Sequence, residues 1–109
     1  LAAPGSPGDR LREIALASRG FVYCVATYGV TGARERLAET AAELVGRLRP
    51  LTDRPLLVGV GIAEPAQATE ACSFADGVVV GSALVRPLLA GDGATTLGLA
   101  RDFRAAVRP

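Results

Sequence analysis

Histidine, tryptophan and methionine are all absent from this 109-residue chain. The lack of histidine excludes Ser-His-Asp and Cys-His catalytic arrangements, histidine-based zinc sites and the commonest general base. Any acid–base chemistry would therefore depend on carboxylates, tyrosine or cysteine. Because the chain begins at Leu1 and holds no methionine, we expect it to be processed or truncated.

The chain also lacks a large excess of either positive or negative charge, and it lacks a long apolar run. The formal net charge is +1, and the arginines alternate with acidic residues, so no basic stripe points to a nucleic-acid partner. No apolar run approaches the roughly 20 residues that span a bilayer, and the N-terminus lacks the pattern of a signal peptide. We expect a cytoplasmic protein that binds neither nucleic acid nor membranes.

Cysteine is nearly absent too, with Cys24 and Cys72 as the two examples. Both lie in apolar surroundings and lack a C-x-x-C spacing. This predicts buried, reduced thiols and no metal site. The hydrophobic content of 50% supports one modest domain with a core.

Three short apolar stretches are predicted to be strands: "FVYCVA" at residues 21–26, "LLVGV" at 56–60 and "GVVV" at 77–80. Their nearly continuous apolar character is typical of parallel strands that are covered on both faces.

Helical patterns separate these strands. Ser6, followed by Pro7 and Asp9, resembles the N-terminal cap of a first helix. Further helices are predicted over about 34–49, 65–74 and 95–107, with a short one beginning at Ser82. Alternation of strands and helices predicts βαβ units and a parallel sheet, either a barrel segment or a small doubly wound sheet.

Glycines follow each predicted strand: "TYGVTGA" after the first, "GVGIAEP" across the end of the second and "GSALV" after the third. The carboxyl ends of parallel strands lie at one edge of the sheet. Glycine lets backbone N–H groups approach a ligand oxygen, and a helix starting at Ser82 would add its dipole and a hydroxyl. The pattern indicates a site for a phosphate monoester. Tyr23 faces either the interior of a barrel or the helices.

The stretches "YCVATYGVTGARERL", "PLLVGVGIAEPAQA" and "FADGVVVGSALVRPLL", in this order, resemble the tryptophan synthase alpha subunit over essentially the whole chain. The resemblance implies an α/β fold in which residues 1–109 form the C-terminal half of a (β/α)8 TIM barrel, from the end of strand 5 through helix 8. It implies cleavage of indole-3-glycerol phosphate to indole and glyceraldehyde 3-phosphate in tryptophan biosynthesis. That lyase reaction uses no cofactor, and indole passes to a beta subunit that carries pyridoxal phosphate in an alpha2-beta2 complex.

The resemblance also implies roles for individual residues. Substrate phosphate binding falls to Gly32, Gly61, Gly81 and Ser82. The pocket and the lid loop are represented by Tyr23, Thr31 and Val60, of which Val60 stands where the family often has a larger side chain against the indole ring.

The family's catalytic glutamate and aspartate lie in the half of the barrel that this chain does not match, so we predict no catalytic residue here. Glu64 begins or precedes a helix and is expected to be a solvated or capping carboxylate, and Asp76 precedes the last strand at its amino end. Two alternatives stay open: a non-catalytic half-barrel that binds phosphate compounds or pairs with another copy, and another phosphate-binding barrel enzyme.

Overall fold

The computed structural model describes residues 1–25, 34–59 and 61–108. Its helices and strands follow one another in the predicted order. They are α1 (Gly8–Ala17), β1 (Val22–Val25), α2 (Arg34–Leu48) with a 3-10 turn (Arg49–Leu51), β2 (Leu56–Gly59), α3 (Pro65–Ala71), β3 (Gly77–Val78), α4 (Ser82–Leu89) and α5 (Gly93–Val107).

The sheet is parallel throughout, in the order β1-β2-β3. Ala2 extends it beside β1, because its N–H donates to the Tyr23 carbonyl at 2.9 Å and its carbonyl accepts from the Val25 N–H at 2.8 Å. The carboxyl ends of these segments therefore lie along one edge, as the alternation of elements predicted.

The described helices that pack on the sheet cover the same face of it. Val22, Cys24, Leu56 and Val58 form one core cluster with residues of α1 and α2. Val78 is the register partner of Val58 and packs with residues of α3 and α5. A doubly wound sheet would carry helices on both faces, so this arrangement is that of a barrel segment.

The other face of the sheet carries the residues that alternate with this core, such as Tyr23 and Leu57. Both side chains are half-buried. The strands were predicted to be covered on both faces. Within the described part of the chain, helices cover one face, and the other face is only half-buried.

The later helices pack around the end of β3. Phe103 of α5 is buried against Ala68 and Ala71 of α3. Two threonine hydroxyls add hydrogen bonds between helices: Thr69 donates to the Ala106 carbonyl at 3.0 Å, and Thr96 donates to the Leu84 carbonyl at 3.0 Å. These contacts hold α4 in place immediately after β3.

One helix cap differs from its prediction. Pro7, and not Ser6, stands at the N-cap of α1, and no side chain caps that helix. The Ser6 hydroxyl instead accepts a hydrogen bond from the Ala3 N–H at 3.3 Å. Because Pro7 takes the N-cap position, Ser6 lies one residue before it, and its hydroxyl bonds within the preceding turn.

The two thiols should react at very different rates. Cys24 is buried, and loss of hydration raises its pKa to about 11, only partly offset by Arg49. Cys72 was expected to be buried, but it is only half-buried. We expect a thiol reagent at pH 8 to modify Cys72 in the native chain, and Cys24 only on unfolding. Peptide mapping of the labelled chain checks this, and equal labelling of both residues would contradict it.

Candidate functional site

The glycines that follow β2 and β3 are the same number of residues beyond a pair of register partners at the carboxyl edge of the sheet. Val58 and Val78 are register partners, and the Val79 N–H donates to the Val58 carbonyl at 2.8 Å. Gly61 lies three residues beyond Val58, and Gly81 lies three residues beyond Val78. Each of the two adjacent strands is thus followed by a glycine at the same sequence distance from the register pair.

The start of α4 is an open helix N-terminus. Gly81 is its N-cap residue, and no side chain caps it. Its carbonyl accepts from the N–H groups of Leu84 and Val85 at 3.0 and 3.1 Å. The first amides of an α-helix have no partner within the helix, and the helix dipole makes this end favourable for an anion. Both Gly81 and Ser82 are exposed, so these amides and the Ser82 hydroxyl are accessible to a ligand.

The two glycines differ in what a side chain at their position would meet. A side chain at residue 81 would enter open space, whereas the backbone conformation at residue 61 favours glycine. A Cβ placed on Gly81 would meet no heavy atom within 4 Å. Gly61 has a φ of 84°, in the left-handed region that side chains with a Cβ rarely adopt. The backbone at residue 61 therefore favours glycine, and the absence of a side chain at residue 81 leaves the start of α4 accessible.

Tyr23 lies on the half-buried face of the sheet, opposite the face that α1 and α2 cover. This resolves the two orientations that the sequence left open. Its ring lies against Gly59, the last residue of β2, so closely that a Cβ on Gly59 would overlap the Tyr23 hydroxyl and ring. Sequence reasoning missed this contact between Gly59 and a predicted pocket residue, because it depends on the register that pairs Tyr23 with Leu57.

Three predicted residues of the site lie outside the described residues. Thr31 and Gly32 fall within residues 26–33, and Val60 falls between the described ranges 34–59 and 61–108. Their assigned roles in the lid, in phosphate binding and in the pocket stay predictions. Of the predicted residues that the structure describes, Gly61, Gly81 and Ser82 are brought to one edge, and Tyr23 lies on β1 of the same sheet.

The two carboxylates singled out in the sequence have structural partners. Glu64 is the N-cap of α3, where its side chain accepts from the N3 amide and the Gln67 side chain accepts from the Glu64 N–H at 2.9 Å. Asp76 lies at the amino end of β3, where one oxygen accepts from Arg49 at 2.6 Å and from the Leu56 N–H at 2.8 Å. Neither is a catalytic candidate.

Acid should weaken the contribution of Asp76 to stability. Hydrogen bonds from Arg49 and from the Leu56 N–H hold the pKa of Asp76 below its ordinary value. Because the pKa is lower in the folded state, the stabilisation is present above about pH 4 and is lost as the pH falls through the folded value. We expect the Tm difference between the wild type and D76N to shrink on acidification. A difference that stays constant from pH 7 to pH 2.5 would contradict this. The pKa of Asp92 is also lowered, but Asp92 is present in both proteins, so its effect on stability cancels in the Tm difference.

No helix among the described residues is long and apolar enough to cross a membrane. Within the same part of the chain, no three acidic or cysteine side chains come together as a metal site would need.

Comparison with known proteins gives one consistent family. A family model described as tryptophan synthase alpha chain matches residues 1–101. A tryptophan synthase alpha chain from Picosynechococcus is 47% identical over 104 residues, covering 94% of this chain and 39% of the relative. One from Mycobacterium ulcerans is 47% identical over 109 residues, covering 99% of this chain and 40% of the relative.

Solved structures agree with the sequence matches. The aminoacrylate-bound form of tryptophan synthase from Mycobacterium tuberculosis superposes with a TM-score of 0.82 at 38% identity, covering 98% of this chain and 38% of that chain. A second structure of the Mycobacterium tuberculosis enzyme gives a TM-score of 0.83 at 44% identity. The chain thus spans about two fifths of the length of the relatives it matches.

Proposed function

Because the chain belongs to the tryptophan synthase alpha chain family, we propose that it forms the phosphate-binding part of a lyase. The reaction is the aldol-type cleavage of indole-3-glycerol phosphate to indole and glyceraldehyde 3-phosphate. The observation that carries this proposal is the open, exposed start of α4 at Gly81 and Ser82, which follows β3 at the carboxyl edge of the sheet.

The chemistry of these groups suits a phosphate monoester. A phosphate oxygen needs hydrogen-bond donors, and the amides at the start of α4 and the Ser82 hydroxyl supply them. The absence of side chains at Gly61 and Gly81 permits close approach to the backbone. Family resemblance adds Gly32 to the phosphate site, Thr31 to the lid, and Tyr23 and Val60 to the pocket. We propose these roles for this chain.

The chain's part in the reaction is then binding and orientation. Binding of the phosphate fixes one end of the substrate at the start of α4. The glycerol chain and the indole ring then extend across the half-buried face of the sheet that carries Tyr23. Glu64 is engaged in a helix cap, and Asp76 lies at the opposite end of the strands. We therefore propose that the proton transfers on the indole ring use carboxylates other than these two.

The remaining family properties are also proposals for this chain. They are a lyase reaction without a cofactor of its own, a cytoplasmic location, and a partner beta subunit that carries pyridoxal phosphate in an alpha2-beta2 complex. The similar structures from Mycobacterium tuberculosis are described as tryptophan synthase, which supports assembly into that complex.

Calorimetric titration of the 109-residue chain tests the phosphate site. We expect indole-3-glycerol phosphate and glycerol 3-phosphate to bind, and indole alone to bind much more weakly. Binding of indole without binding of glycerol 3-phosphate would overturn the proposal. A lyase assay runs in parallel, in which we expect no turnover by this chain alone. Turnover would show that this chain's own side chains are catalytic.

A further inference from the structure

An ion pair at the amino end of the sheet connects α2 to β3. Arg49, in the 3-10 turn after α2, donates to one Asp76 carboxylate oxygen at 2.6 Å and to the Phe74 carbonyl at 3.0 Å. The two side chains are 44% and 40% exposed, so salt and water weaken their direct attraction. Their importance therefore depends on what the pair holds in place.

Asp76 extends the hydrogen-bond ladder between β2 and β3 by one residue. Its N–H donates to the Leu56 carbonyl at 3.0 Å, and its carboxylate accepts from the Leu56 N–H at 2.8 Å. One residue thus satisfies both backbone groups of Leu56. Arg49 holds that same carboxylate oxygen, which keeps the Asp76 side chain directed at β2.

β3 needs such a fixed register because it is very short. Among the described residues, Gly77 and Val78 are the two that pair with β2 as strand residues, followed by the hydrogen bond from Val79 to Val58. Gly77 permits the close approach, since a Cβ there would lie 2.8 Å from a Leu57 methyl carbon. A slip of one residue would move Gly81 by about 3.3 Å and turn the strand's side chains to the opposite faces.

We propose that Arg49 and Asp76 are positioning residues that fix the β2–β3 register and so fix where α4 begins relative to the carboxyl end of β2. This inference rests on the proposed function, since it assigns a consequence for phosphate binding. The pair acts from the far end of the strands and does not touch the phosphate.

Two arginines near the end of α2 provide a matched comparison. Arg49 bridges Asp76 and Phe74, while Arg47 bridges the carbonyls of Pro4 and Ser6 at 3.1 and 2.6 Å. We expect R49A to weaken the affinity for indole-3-glycerol phosphate by about threefold to tenfold, and R47A to change it by less than about twofold. Both titrations are made at a temperature where the melting curve shows a fully folded chain. Equal effects of the two variants would overturn the inference.

Asp76 provides a rescue test. D76A removes the acceptor of the Leu56 N–H, whereas D76N keeps an oxygen that can accept it. We expect D76A to lose affinity as R49A does, and D76N to retain most of it. If both variants bind like the wild type, the pair does not position the site.

A readout without ligand separates this inference from the proposed function. In ¹H–¹⁵N spectra of the ligand-free chain, we expect R49A and D76A to shift the Gly81 and Ser82 amides and to speed hydrogen exchange at Val79. R47A should leave these three amides unchanged. Failure of the wild type to bind any phosphate ester would refute the proposed function alone, whereas unchanged amides in R49A and D76A would refute the positioning role.

Discussion

Replacing Gly59 with alanine is expected to destabilise the chain by about 1–3 kcal/mol, because the added methyl group would overlap the Tyr23 ring. Gly59 is buried at the end of β2, and the ring is rigid, so relief requires movement of the whole side chain or of the strand. Tyr23 lies on the face proposed to receive the substrate, so ligand affinity should fall as well. Urea unfolding and a titration with indole-3-glycerol phosphate measure the two effects.

A double substitution tests whether the Tyr23 ring causes the destabilisation by Gly59→Ala. Y23L removes the aromatic ring, so in its presence Gly59→Ala should cost clearly less than it does alone. Gly46→Ala is the matched control, because a Cβ at that exposed helical glycine meets no heavy atom within 4 Å. We expect that control to be neutral or slightly stabilising. A cost of Gly59→Ala that Y23L leaves unchanged would show that the overlap with Tyr23 is not the reason.

Replacing Gly81 with valine should remove phosphate binding while the chain stays folded. The branched side chain would extend into the open space before α4, between the ligand and the first amides of the helix. We expect the affinity for indole-3-glycerol phosphate to fall by at least about tenfold. Because valine is a poor N-cap residue, stability should fall by only about 1 kcal/mol. Calorimetry and thermal melting measure the two quantities.

Valine at a distant glycine controls for this substitution. Gly46, near the end of α2, is exposed and has equally open surroundings. Gly46→Val should leave the affinity unchanged. If Gly81→Val binds the ligand like the wild type, or if Gly46→Val loses binding to the same extent, the phosphate does not lie at the start of α4.

Elements with strong local signals were predictable from the sequence. The apolar stretches predicted the three strands found among the described residues. Pro50 follows the end of α2 and Pro65 begins α3, because proline disfavours the interior of a helix and suits its first position. The boundaries were less accurate. β3 ends at Val78 and not at Val80, and α5 begins two residues earlier than expected because Asp92 caps it through the Thr95 N–H.

Features that depend on register could not be read from the sequence. Arg49 and Asp76 are 27 residues apart, and only the pairing of β2 with β3 brings them together. The contact of Tyr23 with Gly59 likewise needs the pairing of β1 with β2. Local propensity carries no information on such contacts, because they form only when distant segments fold together.

The candidate site was predictable to the extent that it follows from topology. Parallel strands put Gly61 and Gly81 at one edge, and the helix predicted at Ser82 begins there. The sequence did not reveal that the two glycines are equally distant from a register pair, since the end of each strand had to be known first. The contact of Gly59 with Tyr23 was not predicted, because a glycine inside a strand does not indicate which side chain packs against it.

A ¹H–¹⁵N titration of the 109-residue chain with indole-3-glycerol phosphate tests most directly whether the phosphate binds where β2 and β3 end. We expect saturable shifts at the Gly61, Gly81 and Ser82 amides, which Gly81→Val should abolish and Gly46→Val should preserve. Saturable shifts that leave these three amides unchanged, or no shifts at any concentration, would contradict the assignment of the phosphate site.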